Sequence, residues 1–344
     1  MIRTMESNLD YLAARLHGRR SRLAEGSRLD SLSRLKTISR LAQVILPGAT
    51  VKTVPDAQRL MVAGLIDEMD DLLPQLTGAR ARLMAWMLTQ FQMTNLKIMI
   101  RGIHSRTPPE ILARHLITLP RHLSMNNEAL AKAPSLEALI PLLPEDLPGR
   151  MMRDALVASG KPREPFFIET RLDQHFFQEE LSRVDKLPPH ERDPVAALVT
   201  QEIDLFHLML VLRGRFHYDL APKALAGLHV AGTRLTQPLF EAMLSAPTRL
   251  AAATLTVGLA LEALPASVNA PAIEALAWAR YLKIANRMFR QSFTEFGLIA
   301  GYMALRRMEV ANLITLSEGI RAQLGDETIR LHIIPPSHPE ALYV

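Results

Sequence analysis

Apolar residues along 296–325 recur at the interval of a helix. Tyr302, Leu305 and Met308, then Val310, Leu313, Leu316 and Ile320, stand three or four apart, which lays one apolar stripe along a helix. Glu309 and Asn312 sit among these apolar neighbours. Gly319 and Gly325 are the expected C-terminal stops. The same design occurs twice upstream, at residues 93–102 and 204–214. Aligning Asn95, His207 and Asn312 superposes Leu96, Leu208 and Leu313, and also Gly102, Gly214 and Gly319. His207 lies 112 residues after Asn95 and 105 before Asn312. Intervals so close imply three copies of one unit, with a period longer than that of solenoid repeats. The expected units are 1–106, 107–220 and 221–325, followed by an extended tail over 326–344. Three such units can surround a common axis rather than stack in a line.

Between these helices the pattern stays helical. Leu29, Leu32, Leu35, Ile38 and Leu41 run through the opening segment at helical spacing, and Ser7-Asn-Leu-Asp10 has the form of a capping box. From Pro47 to Asn95 the chain reads as short helices broken at Pro47-Gly48, Pro55 and Pro74. Leu83, Met87, Phe91, Leu96, Met99 and Ile100 carry an apolar stripe into the first of the three related helices. Pro108-Pro109-Glu110 suits a helix start, and Gly160-Lys161-Pro162 marks a long turn. Residues 166–177 hold four of the eleven phenylalanines, a density that predicts a core between helices. Prolines make an extended chain of the tail from Arg330 onward.

These residues, in this order, resemble a known family: the C subunits of archaeal and bacterial V/A-type rotary ATPases, equivalent to the d subunits of vacuolar ATPases. The likeness rests on Tyr11 and Arg15, Asn95-Leu96 with Arg101-Gly102, and residues 168–177 with Asp173 and Phe176-Phe177. It continues through Glu202, Asp204, His207, Leu208 and Arg213, and ends at Gly301-Tyr302, Glu309-Val310 and Asn312-Leu313. It runs from about Tyr11 to Gly325, and its strength lies in the order and intervals rather than in any one motif. His207 departs from the asparagine of the other two copies, and Glu318 stands where they have Arg101 and Arg213. The resemblance implies an all-α, funnel-like body of three pseudo-symmetric units. It implies a non-catalytic rotor subunit without cofactor, partnered by central shaft subunits and by the membrane ring that carries protons or sodium ions. Torque would pass through it in either direction, and it would touch the membrane only through the ring.

Composition narrows the reading. Apolar residues make up 48% and aromatics 5%, so leucine, alanine and methionine do the packing, which favours helices over sheets. At 344 residues the chain exceeds one ordinary core. The absence of cysteine excludes disulfides and thiolate metal sites and accords with a reducing cytoplasm. The N-terminus has charges where a signal peptide needs its apolar run. The most apolar segment, 250–266, is too short to span a bilayer, so a soluble protein, peripheral to a membrane as part of a complex, is expected.

Charge is uneven. Residues 1–48 carry nine Lys/Arg against four acids, an excess that equals the whole chain's net charge of +5. A basic segment can meet nucleic acid or an anionic membrane, but no aromatic interleaves here as a base-stacking platform. Arg19, Arg20 and Arg22 are therefore candidates for an interface with acidic protein partners. The four cations within 278–290 offer a phosphate site or, more commonly, snorkel along a helix flank.

Catalytic motifs do not emerge. The chain has no phosphate-cradling Gly-x-x-x-x-Gly-Lys-Ser/Thr, no Gly-x-Gly-x-x-Gly and no Gly-x-Ser-x-Gly. The four carboxylates within 67–71 point apart on one helix, His115 and His122 have no third ligand at a recognisable interval, and His190-Glu191 has no histidine at the zincin spacing. Two other readings remain open from residues alone: a helical adaptor for protein or nucleic acid, and a helical enzyme with a dispersed site.

Overall fold

A computed structural model describes residues 2–159, 164–256, 270–292 and 295–335. Among the described residues every regular element is a helix. They are α1 (Ile2–Arg20), α2 (Ser27–Ser33), α3 (Ile38–Ile45), α4 (Val54–Leu72), α5 (Gly78–His104), α6 (Pro109–His115), α7 (Asn127–Ala131), α8 (Leu136–Leu139) and α9 (Leu147–Ala158). There follow α10 (Pro165–Val184), α11 (Pro189–Phe216), α12 (Pro222–Leu225), α13 (Gln237–Ser245), α14 (Arg249–Thr254), α15 (Ala270–Gln291), α16 (Phe296–Arg321) and α17 (Asp326–Leu331). The all-α expectation holds.

The chain groups into two compact units, one of Met1–Leu65 with Leu187–Val344 and the other of Ile66–Lys186. In the latter, α5 packs along α10, and α9 leans on both. Trp86 anchors this core: its ring stacks on Phe176 at 5.3 Å, and its indole N–H donates to the Phe176 carbonyl at 3.2 Å. Of the four clustered phenylalanines Phe176 and Phe177 are buried, as predicted, whereas Phe166 and Phe167 are half-buried. Along the same seam Lys97 pairs with Asp173, and one turn on Arg101 clasps both oxygens of Glu169.

In the other unit α16 packs against α15, and α11 lies against both. Gly301 makes the α15–α16 approach possible, since a Cβ there would stand 2.9 Å from the Phe289 amide nitrogen. Glu202 of α11 then bridges the two, accepting from Arg307 of α16 at 2.7 Å and from the Tyr281 hydroxyl of α15 at 3.3 Å. Glu191, fully buried near the start of α11, accepts the Phe296 amide hydrogen at 2.9 Å and so satisfies an orphan donor at the head of α16.

Several local expectations differ from the structure. Helix α1 begins at Ile2, so Ser7 lies inside it rather than at its cap. Pro55 does not break a helix; it sits in the first turn of α4, where its missing N–H costs nothing. Helix α16 ends at Arg321, and the left-handed position beyond it is Gln323, with φ 55°, not a glycine. Arg330 and Leu331 belong to α17 rather than to an extended tail. Helix α11 has the length and hydropathy of a membrane span, yet 67% of its most apolar window is buried inside the fold. Residues 257–266, the turn at 160–162 and the tail beyond 335 lie outside the described residues.

Candidate functional site

The polar residues that the three related helices share are buried, and each binds main chain. Asn95, with no exposed surface, donates from its amide to the Ile117 carbonyl at 2.8 Å and accepts the Ile117 N–H at 2.7 Å. Asn312 holds Ile334 in the same two ways, at 2.7 and 2.9 Å. His207 accepts the Val230 N–H through Nε2 at 2.9 Å. The first two partners lie 22 residues downstream and the third 23.

The helix ends account for that extra residue. Past Gly102, the amide of Thr107 donates to the Gly102 carbonyl at 2.8 Å and that of Arg106 to Ile103 at 3.1 Å, a Schellman closure around the left-handed Arg106, φ 56°. Past Gly319, Leu324 and Gln323 repeat both bonds, to Gly319 and Ile320. Past Gly214 the return bond to the glycine carbonyl comes from Leu220, one residue later, with Asp219 at φ 52°. The glycines serve close approach: a Cβ on Gly102 would meet Leu112 at 2.4 Å, and one on Gly319 would meet Ile329 at 2.5 Å.

Three residues before each of these side chains stands another buried polar group. Gln92 donates to Asp146 at 3.2 Å, Asp204 accepts from the Leu235 amide at 3.4 Å, and Glu309 accepts the Ala24 amide hydrogen at 2.5 Å and pairs with Arg306 at 2.6 Å. Burial pushes the Asp204 carboxyl above its ordinary value, against bonds from Thr233 and Leu235 and the charges of Arg234 and Arg280. Burial also raises the Asp173 carboxyl, opposed by Lys97, although 28% of that side chain still meets solvent. Burial, then the neighbouring Arg234, lowers Arg280.

His207 is the departure with most consequence. Because Nε2 accepts, the ring proton must sit on Nδ1, and Nδ1 is buried without a partner. Its ring stacks on His229 at 4.7 Å and tilts against Phe240 at 5.2 Å. Burial first, and the neighbouring His229 second, lower its pKa to about 3.

The remaining positions singled out in the sequence divide. Tyr302 is buried, 6.3 Å from the Phe289 ring. Tyr11 and Arg213 are exposed, and Arg15 and Arg19 are half-buried. Arg20 is engaged internally, donating to Asn286 at 3.0 Å and pairing with Glu25 at 2.6 Å, while Arg22 is exposed. Spacing alone offers no hint of Glu191, whose partner is a main-chain amide, whereas Gln92 shares the register of Asp204 and Glu309 and was open to the same alignment. Among the described residues no three His, Asp or Glu side chains gather to hold a metal ion.

This is an all-helical scaffold whose buried polar side chains fasten its own backbone. The chain belongs to the ATP synthase (C/AC39) subunit family, whose profile matches residues 12–332. The family is one of rotary ATPase subunits. A comparison with curated proteins finds no match.

Proposed function

We propose that the chain is a non-catalytic rotor subunit of a V/A-type ATPase, joining the central shaft to the membrane ring and transmitting torque for proton or sodium transport. The observation that carries this is the family match over residues 12–332. The physical construction supports it. A coupling must be stiff, and buried bidentate side-chain bonds at Asn95 and Asn312 fix the segments that follow the long helices. We further propose that the units 1–106, 107–220 and 221–325 form a funnel-like body about a pseudo-threefold axis, on the cytoplasmic face of the ring. The recurrence of one main-chain contact after α5, α11 and α16 supports that arrangement. Purification from native membranes in mild detergent tests the assignment: the chain is expected with shaft and ring subunits in fixed ratio. Recovery free of both, with the rest of the complex intact, overturns it.

A further inference from the structure

The fold brings together two basic stretches that lie far apart in sequence. Arg20, at the end of α1, donates to Asn286 of α15 at 3.0 Å. One turn earlier on α1, the His17 ring meets Phe289 of α15 at 4.8 Å. Around Asn286, Lys283, Arg287 and Arg290 are all exposed. At 100° per residue these four lie on one side of α15. The buried Tyr281, Ala285, Met288 and Phe289 take the other side. Arg22, between α1 and α2, and Arg28, in the first turn of α2, are exposed as well.

Few acids answer this charge. Glu25 pairs with Arg20 at 2.6 Å, and Glu309 is occupied by the Ala24 amide and Arg306. Glu274, the acid of α15, falls half a turn round the helix from Lys283. Among the described residues no carboxylate pairs with Lys283, Arg287 or Arg290. Gathering like charges on one face opposes folding, so a solvated flank would be better served by mixed signs.

We propose that this face, the end of α1 with the outer side of α15, docks an acidic helix of another protein. Lys283, Arg287 and Arg290 are spaced by three or four residues, one turn each, which matches carboxylates three or four apart on a facing helix. A lipid surface would need apolar anchors beside the cations. Along residues 10–20 of α1 and along α15 the exposed large apolar side chain is Tyr11, more than two turns from Arg20. Single-stranded nucleic acid would need exposed aromatic platforms. Phe289 and Tyr281 are buried, and Trp278 falls on the side of α15 opposite the cations. The proposal draws on the coupling reading only for the expectation that a partner exists.

The test uses the full chain and a labelled helical peptide bearing glutamates at every fourth position, followed by fluorescence anisotropy. Binding is expected at low salt, weakening as salt rises. Lys283→Glu with Arg287→Glu and Arg290→Glu should weaken it by about tenfold or more. The three glutamine substitutions should fall between, with an unchanged thermal melt to show that the fold is intact. Absence of binding, or equal binding by the reversed variant, overturns the proposal. So does preferential binding to phosphatidylserine vesicles that the same reversal abolishes. Membrane co-purification reads the coupling assignment and the peptide reads this surface, so either can fail alone.

Discussion

The side-chain amide of Asn312 grips Ile334 at both its N–H and its C=O, at 2.9 and 2.7 Å. A primary amide carries a donor and an acceptor in one plane, so it can bond both groups of a peptide at once. Asn312 is buried, so replacing it by alanine leaves the N–H and C=O of the half-buried Ile334 without these partners. The expected cost is about 2–4 kcal/mol, from two lost bonds and the desolvated groups they leave. Asn95→Ala, which removes the matching bonds to Ile117, should cost a similar amount. Urea unfolding checks both, and a loss below about 1 kcal/mol at either would show that water replaces the amide.

His207 should make the fold sensitive to acid. Its pKa in the folded chain is about 3, against about 6.5 for a free imidazole. Between those values the unfolded chain binds the extra proton and the folded chain does not. Stability is therefore full above about pH 6.5 and falls as pH drops, by up to about 1.4 kcal/mol per unit. His207→Asn restores the residue of the other two copies and can accept the same Val230 N–H. The variant should lose less stability between pH 7 and pH 5 than the wild type does. Asp204, held above its ordinary value, has the opposite sign and is common to both proteins, so it cancels in the comparison. Equal pH slopes would assign the acid sensitivity elsewhere.

Glu202 ties three helices through one carboxylate, and removing it takes two hydrogen bonds from a half-buried Arg307. Because both partners keep some solvent contact, Glu202→Ala is expected to cost about 1–2 kcal/mol rather than the larger penalty of a dry ion pair. Arg307→Ala in the Glu202→Ala background should cost less than Arg307→Ala alone. A double-mutant cycle measures the difference, and strict additivity would deny the coupling.

How much of this was legible depends on the kind of interaction. Apolar spacing around Leu305, Leu313 and Leu316 speaks directly of a helix with one buried side, and α16 forms there. Asn95, His207 and Asn312 could be aligned in sequence because their helices share a register. Their task could not be read, since each binds backbone atoms, which carry no sequence signature, in a segment more than twenty residues away. The same holds for Glu191 at the head of α16. Charge could be counted but not placed: the excess over residues 1–48 made Arg20 an interface candidate, whereas folding turns that side chain toward Asn286 and Glu25. Helix ends misled for a simpler reason. Gly319 looks like a stop, but it leaves room for Ile329 while Gln323 takes the left-handed turn.

Gly301 and Gly319 separate two reasons for a helical glycine. Alanine in place of either gains helix propensity, about 1 kcal/mol. At Gly301 the added Cβ meets the Phe289 nitrogen at 2.9 Å, the Ala285 carbonyl oxygen at 3.1 Å and the Phe289 Cα at 3.2 Å. All three are backbone atoms of α15, so relief requires the two helices to move apart. That strain is expected to exceed the propensity gain and leave Gly301→Ala destabilised by about 1–3 kcal/mol. At Gly319 the close atoms are Cγ1 and Cδ1 of Ile329, at 2.5 and 2.8 Å. A side chain can change rotamer at modest cost, so Gly319→Ala should remain within about 1 kcal/mol of the wild type. Thermal melts of the two variants decide the matter. A Gly301→Ala protein as stable as Gly319→Ala would mean that α15 and α16 are not held at the separation seen, and that the seam joining them is soft.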